Sequence, residues 1–124
     1  MTAPTSGRWL HVEQLGDVAL VRLLPRHILE DAMIQPLGDQ LLSLVQQEGC
    51  RKLVLDCRNV EKMGSAMLGK LRKLYDLVQA TGGRLAFFKI HPALQPGFDM
   101  LRLPRSLLHT EEQEALEAVG RAGG

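Results

Sequence analysis

The chain has 124 residues, 45% of them hydrophobic, which is the size and composition of one domain with one buried core. Fifteen Lys and Arg stand against fourteen Asp and Glu for a formal net charge of +1, a balance that produces no general attraction for nucleic acid or anionic lipid. No apolar run approaches the roughly 20 residues needed to span a bilayer, and the two cysteines, Cys50 and Cys57, have neither CxxC spacing nor a disulfide framework around them.

The opening residues, Met1 to Gly7, are small and polar and resemble neither a secretory signal nor an anchor, so a reducing cytoplasm is the expected location. The expected organisation is one domain over residues 8–119 between flexible tails at 1–7 and 120–124. Trp9, Leu10, Val12 and Leu15, a turn at Gly16-Asp17, and the run Val18 to Leu24 predict an antiparallel hairpin, ended by Pro25, which cannot donate to a ladder.

From Asp31 to Glu48 the apolar residues Ile34, Leu37, Leu41, Leu44 and Val45 recur three or four apart and predict a helix stopped at Gly49. Pro36 moves the expected start of regular helix to about Gln35, with a looser turn from Asp31. Leu53-Val54-Leu55 is short and β-branched at its centre, which predicts a buried strand with Asp56 at its C-terminal end as a hydrogen-bond acceptor for loop amides.

A loop then leads to a second amphipathic helix with Met67, Leu71, Leu74 and Val78 on one face, closed by Gly82-Gly83, with Ser65 as its expected N-cap. Arg84 to Ile90 predicts another buried strand. Pro92 opens a short helix carrying Leu94, Phe98 and Leu101, kinked or shortened by Pro96-Gly97. Leu107-Leu108 predicts a short edge strand, and Thr110 with Gln113 a capping box for a last helix presenting Ala115, Leu116 and Val119. A hairpin followed by strands alternating with helices predicts an α/β fold: a mixed four- to five-stranded sheet with helices packed against it.

Catalytic chemistry finds little support in these residues. The loop Met63-Gly64-Ser65-Ala66-Met67 lacks the glycines of a phosphate cradle and the spacing of a nucleophile elbow. His11, His27, His91 and His109 fall in separate elements, so no metal or organic cofactor is expected. Cys57 directly follows a buried strand and reads as a small packed hydrophobe. Seven basic residues, Arg51, Lys52, Arg58, Lys62, Lys70, Arg72 and Lys73, precede an acidic last helix with Glu111, Glu112, Glu114 and Glu117. They suggest either opposite patches that orient a partner or a solvated basic face, and the solvated face is the commoner outcome.

The stretch from Lys52 to Val119, through LVLDCRNV, GSAMLGKL, TGGRLAFFKIHP and LRLPRSLL, resembles the STAS family, best known for bacterial anti-sigma factor antagonists. In that family a loop reading Asp-Ser-Ser-Gly-Leu-Gly carries a serine that receives phosphate from a serine kinase, which is also the anti-sigma factor. Here Leu68-Gly69 fixes the register, so the resemblance puts Gly64 at the aspartate, Ser65 at the first serine, Ala66 at the acceptor and Met67 at the glycine.

The resemblance implies a non-catalytic interaction module that binds an anti-sigma factor or serine-kinase-like regulatory protein through Gly64, Ser65, Ala66, Met67, Lys70 and Lys73. It also implies that Ala66, lacking a hydroxyl, is a degenerate phosphorylation position with Ser65 as its neighbour. A second reading is a scaffold subunit of a signalling assembly or a homodimer built on Leu10, Val12 and Leu20. The third, a small thiol or phosphoryl-transfer enzyme using Cys57 or Ser65, lacks a base and an oxyanion donor nearby.

Overall fold

The computed structural model describes residues 6–120, so the tail residues 1–5 and 121–124 lie outside the described residues. Strands β1 (Leu10–Leu15) and β2 (Val18–Leu23) form the expected hairpin, in register from Leu10 opposite Leu23 to Leu15 opposite Val18. Gly16 makes the turn with φ +61°, a left-handed conformation that glycine adopts without steric penalty.

Three further strands extend this sheet in parallel: β4 (Lys52–Asp56), β6 (Arg84–Phe88) and β7 (Leu108–His109), in the order β1-β2-β4-β6-β7. A five-stranded mixed sheet is thus the centre of the fold. Between them lies a separate parallel ladder that the sequence reads as loop, β3 (His27–Ile28) with β5 (Lys62–Met63). Two-residue strands carry no periodicity, so nothing in the pattern marks them.

Side-chain alternation divides the core between the two faces of the sheet. Ala19, Val21 and Leu23 of β2, Leu53 and Leu55 of β4, and Leu85 and Phe87 of β6 belong to the larger cluster. Helices α1 (Asp31–Gln46), α2 (Ser65–Ala80) and α3 (Gln95–Met100) contribute Leu37, Leu41, Leu44, Met67, Leu71, Leu74 and Phe98 to it. The alternate residues, Val18, Leu20, Val54, Ala86 and Phe88, meet Ala115 and Leu116 of α4 (Glu112–Ala118) and its C-cap residue Val119 on the opposite face.

Helix α1 begins at Asp31, not near Gln35, and keeps Pro36 within it. Proline there forgoes only its own amide bond, while Met33 and Ile34 donate to the Glu30 carbonyl at 2.9 Å and set the first turn upstream of it. The Pro92 helix is divided: residues 92–94 form a 3₁₀ turn, and Pro96 sits in the first turn of α3, where a missing amide costs nothing. Helix α4 uses Glu111 and Glu114 for its capping box, one residue later than Thr110 and Gln113. The Glu114 carboxylate accepts from the Thr110 and Glu111 amides at 3.3 Å each.

Within the expected N-terminal tail, Ser6 and Gly7 are bonded to β1. The Val12 amide donates to Ser6 Oγ at 2.8 Å and the Gly7 amide to the Leu10 carbonyl at 2.9 Å. The edge of β1 is therefore already occupied at Val12. Leu10, Val12 and Leu20 are all buried within the chain's own cores, so they offer no exposed apolar surface for a homodimer.

Candidate partner-binding site

The short β3–β5 ladder fixes where α2 starts. The Glu61 and Lys62 amides donate to the Arg26 carbonyl at 2.7 and 3.1 Å, and the Gly64 amide donates to the Ile28 carbonyl at 2.8 Å. Gly64 is the N-cap of α2, one position earlier than the expected cap, and Ser65 is instead its first helical residue. The Gly64 carbonyl accepts from Met67 and Leu68, at 3.0 and 3.1 Å, and no side chain caps this end. Ser65 and Ala66 are exposed on the first turn.

The other expected contact residues separate. Met67 is fully buried beneath the sheet, so it is a core residue and is withdrawn from the contact surface. Helical period explains this: Met67 shares a face with Leu71, Leu74 and Val78, all four buried. Lys70 has a side chain only 14% exposed, and its ammonium reaches Asp39 of α1 at 3.1 Å. Its stem lies over Gly38, where an added Cβ would stand 2.6 Å from Lys70 Cγ and Cδ, so Lys70 joins α1 to α2. Lys73 is exposed, and its side chain makes no hydrogen bond or ion pair among the described residues.

Beside the uncapped turn lies an apolar rim that the sequence does not mark. Leu29 is 51% exposed and, with half-buried Met63 and Leu68, borders a cavity of about 210 Å³ that Ala93, Leu94 and Gly97 close and that Glu61 and Lys62 line on its polar side. Leu29 follows a two-residue strand and precedes α1, a place where no periodicity distinguishes an exposed leucine from a buried one.

The basic run does not form a patch. Arg51 donates to the Thr81 carbonyl, Lys52 pairs with Asp17, Arg58 with Asp56, Lys70 with Asp39 and Arg72 with Asp76. The acidic end of α4 is likewise engaged: Glu111 pairs with Lys89 at 3.0 Å and Glu112 with Arg58 at 3.5 Å. Five of the seven basic residues thus meet partners inside the molecule, while Lys62 and Lys73 stay exposed outside these pairs.

Asp56 accepts a loop amide, as expected: its Oδ1 receives the Arg58 amide at 3.0 Å. It is also fully buried and holds two guanidinium groups, Arg22 at 3.0 Å and Arg58 at 2.9 Å. Register explains the cluster, since Arg22, Asp56 and Phe88 are lateral neighbours on β2, β4 and β6, and the Arg58 guanidinium lies 5.7 Å from the centroid of the Phe88 ring. Cys57 is buried, and desolvation with the nearby Asp56 charge pushes its thiol up to about 12, which keeps it protonated and unreactive at neutral pH. Among the described residues no group of three His, Cys, Asp or Glu side chains could hold a metal ion.

This element order, with a helix start presented on a buttressed loop at the end of a parallel strand, defines a small α/β domain built on one mixed sheet. The STAS domain family model matches residues 32–115, and the chain belongs to that family. Protein tm1081 from Thermotoga maritima is 21% identical with a TM-score of 0.75, over 89% of this chain and 93% of that one. An anti-sigma-factor antagonist (STAS) domain protein from Planctomyces limnophilus is 19% identical with a TM-score of 0.72, over 90% and 97%. The Bacillus cell fate determinant SpoIIAA in its phosphorylated form is 16% identical with a TM-score of 0.71, over 89% and 98%. At these identities the likeness is one of fold. No helix among the described residues is long and apolar enough to cross a membrane.

Proposed function

We propose that the chain is a non-catalytic, cytoplasmic interaction module that binds a regulatory protein of the anti-sigma, serine-kinase type, and that it does so without phosphorylation at the usual loop position. The observation that carries this reading is the uncapped first turn of α2, with Ser65 and Ala66 exposed beside the apolar rim of Leu29, Met63 and Leu68. Free backbone amides next to a small apolar depression suit a partner that brings both a hydrogen-bond acceptor and a hydrophobic side chain.

The contact set is then Gly64, Ser65, Ala66, Lys73 and Leu29, with Met67 supporting from below and Lys70 holding α2 against α1. The Planctomyces limnophilus neighbour, named as an anti-sigma-factor antagonist, supports this class of partner. The test is a calorimetric titration of the chain with serine-kinase-type anti-sigma factors from its own cell. Binding is expected, and Ala66→Glu and Leu29→Asp are each expected to weaken it at least about ten-fold without lowering the melting temperature. Unchanged affinity in both variants, or no binding to any such kinase, would remove the proposal.

A further inference from the structure

A second concavity opens on a different part of the molecule, at the C-terminal ends of β4, β6 and β7. It has a volume of about 470 Å³, within the roughly 300–1,000 Å³ typical of pockets for small organic ligands. Crevices outside the carboxyl ends of parallel strands are where open α/β sheets commonly bind ligands. Its polar lining comes from Arg58, Lys89, His91, Gln95, His109 and Thr110, and its apolar lining from Ile90, Pro92 and Leu108.

Three observations give this lining a chemical preference. First, it is rich in hydrogen-bond donors: Arg58 and Lys89 are cations, and His91 Nδ1 already accepts the Ala93 amide at 3.0 Å, which leaves Nε2 as the donor of the neutral ring. Among the described residues no carboxylate lines the cavity. Buried Asp56 holds the Nε side of Arg58 at 2.9 Å, while the Nη end of Arg58 and the Lys89 ammonium reach only Glu112 and Glu111, which are 41% and 58% exposed, so those two ion pairs are weak and exchangeable.

Second, His109 Nε2 is buried with no hydrogen-bond partner among the described residues. A buried polar atom left in this state is uncommon in a folded protein and calls for a partner, such as a bound ligand or a water, in the space beside it. Third, Lys89 has φ +58°, a left-handed conformation that a non-glycine residue rarely adopts and that concentrates at ligand sites.

We propose that this cavity binds a small organic oxyanion, a carboxylate or phosphate group carried on a compact apolar body. Lys89 and Arg58 meet the charged oxygens, and Ile90, Pro92 and Leu108 cover the body. The site shares no lining residue with the depression beside α2, so it stands or falls independently of the partner reading.

The test is an amide-detected NMR titration of the intact chain with phenyl phosphate, benzoate, inorganic phosphate and benzyl alcohol. Phenyl phosphate or benzoate is expected to shift the Lys89, His91, His109 and Thr110 amides saturably, with a dissociation constant below about 1 mM, and the stronger of the two identifies the oxyanion. Inorganic phosphate and benzyl alcohol are each expected to bind at least about ten-fold more weakly. Lys89→Gln, at a side chain already 42% exposed, is expected to preserve the remaining spectrum and weaken the better ligand about ten-fold or more. Absence of saturation below about 10 mM, equal binding of benzyl alcohol, or an unaltered affinity in Lys89→Gln would overturn the assignment.

Discussion

Placing a hydroxyl at the degenerate loop position is expected to make this domain a kinase substrate, and the structure determines how to do it. Matching the family loop at the acceptor and the residue after it means Ala66→Ser with Met67→Gly. Met67, however, is fully buried against Leu71 and Leu74. Removing that side chain costs about 2–5 kcal/mol, and glycine in the helix adds about 1 kcal/mol. Set against a typical total stability of about 5–15 kcal/mol, the double variant loses a large fraction of the domain's stability, which would confound a kinase assay. Ala66→Ser alone alters an exposed position on the first helical turn and costs about 0.5 kcal/mol or less. A phosphate there adds nearly two negative charges beside free helical amides, which favour it by about 0.3–1 kcal/mol, so the modified domain stays folded. The assay is incubation with a serine kinase of the anti-sigma type, shown active on its usual substrate, followed by intact-mass and fragment-mass spectrometry. The expected result is one phosphoryl group on Ala66→Ser and none on the parent. Efficient modification of the parent at Ser65, or none on a folded Ala66→Ser, would refute the register.

Leu74→Ala is expected to lose about 2–5 kcal/mol in a urea titration, because its side chain is fully enclosed in the larger core. Gly69→Ala is expected to stabilise the domain by about 0.5–1 kcal/mol, since an added Cβ meets nothing within 4 Å on α2, whereas Gly83→Ala is expected to destabilise it, because that Cβ would strike the Arg51 carbonyl oxygen; thermal melts of the pair give opposite signs. Cys57 is expected to resist iodoacetamide at pH 8 in the native state and to react once denatured, since a thiol pushed up to about 12 has almost no thiolate at that pH; rapid native labelling would contradict the burial.

The fold was legible wherever a long segment had one buried face. Met67, Leu71, Leu74 and Val78 are spaced for a helix and all four are buried, and the strand at Leu53 to Leu55 stood out because both its faces are covered. Helix starts were less legible. Pro36, Ser65 and Thr110 each pointed to a boundary by a local rule, but other groups satisfied the first-turn amides: the Glu30 carbonyl, the Gly64 carbonyl and the Glu114 carboxylate. A one-residue shift of a cap is cheap when several groups can satisfy the same amides.

The site was less legible than the fold because its chemistry depends on partners distant in sequence. Met67 shows the conflict best: the family loop assigned it to the contact surface, while its spacing assigned it to the core, and burial follows the spacing. The charges show the other half of the problem. Arg58 and Glu112 are 54 residues apart, and Lys89 and Glu111 are 22 apart. Only the parallel register of β4 beside β6, with α4 returning across the sheet, brings each pair together, so counting basic and acidic runs along the chain left opposite patches and a solvated face both open and could not show these ion pairs. Asp56 belongs to the same logic. A carboxylate at a strand end announces a hydrogen-bond acceptor, but that it gathers Arg22 from one neighbouring strand and Arg58 from the loop beyond follows from the alignment of Arg22, Asp56 and Phe88 across three strands. That alignment anchors Arg58 at the end of the sheet, where it lines the donor-rich cavity, and a change at Asp56 therefore reaches a surface that Asp56, fully buried, does not itself share.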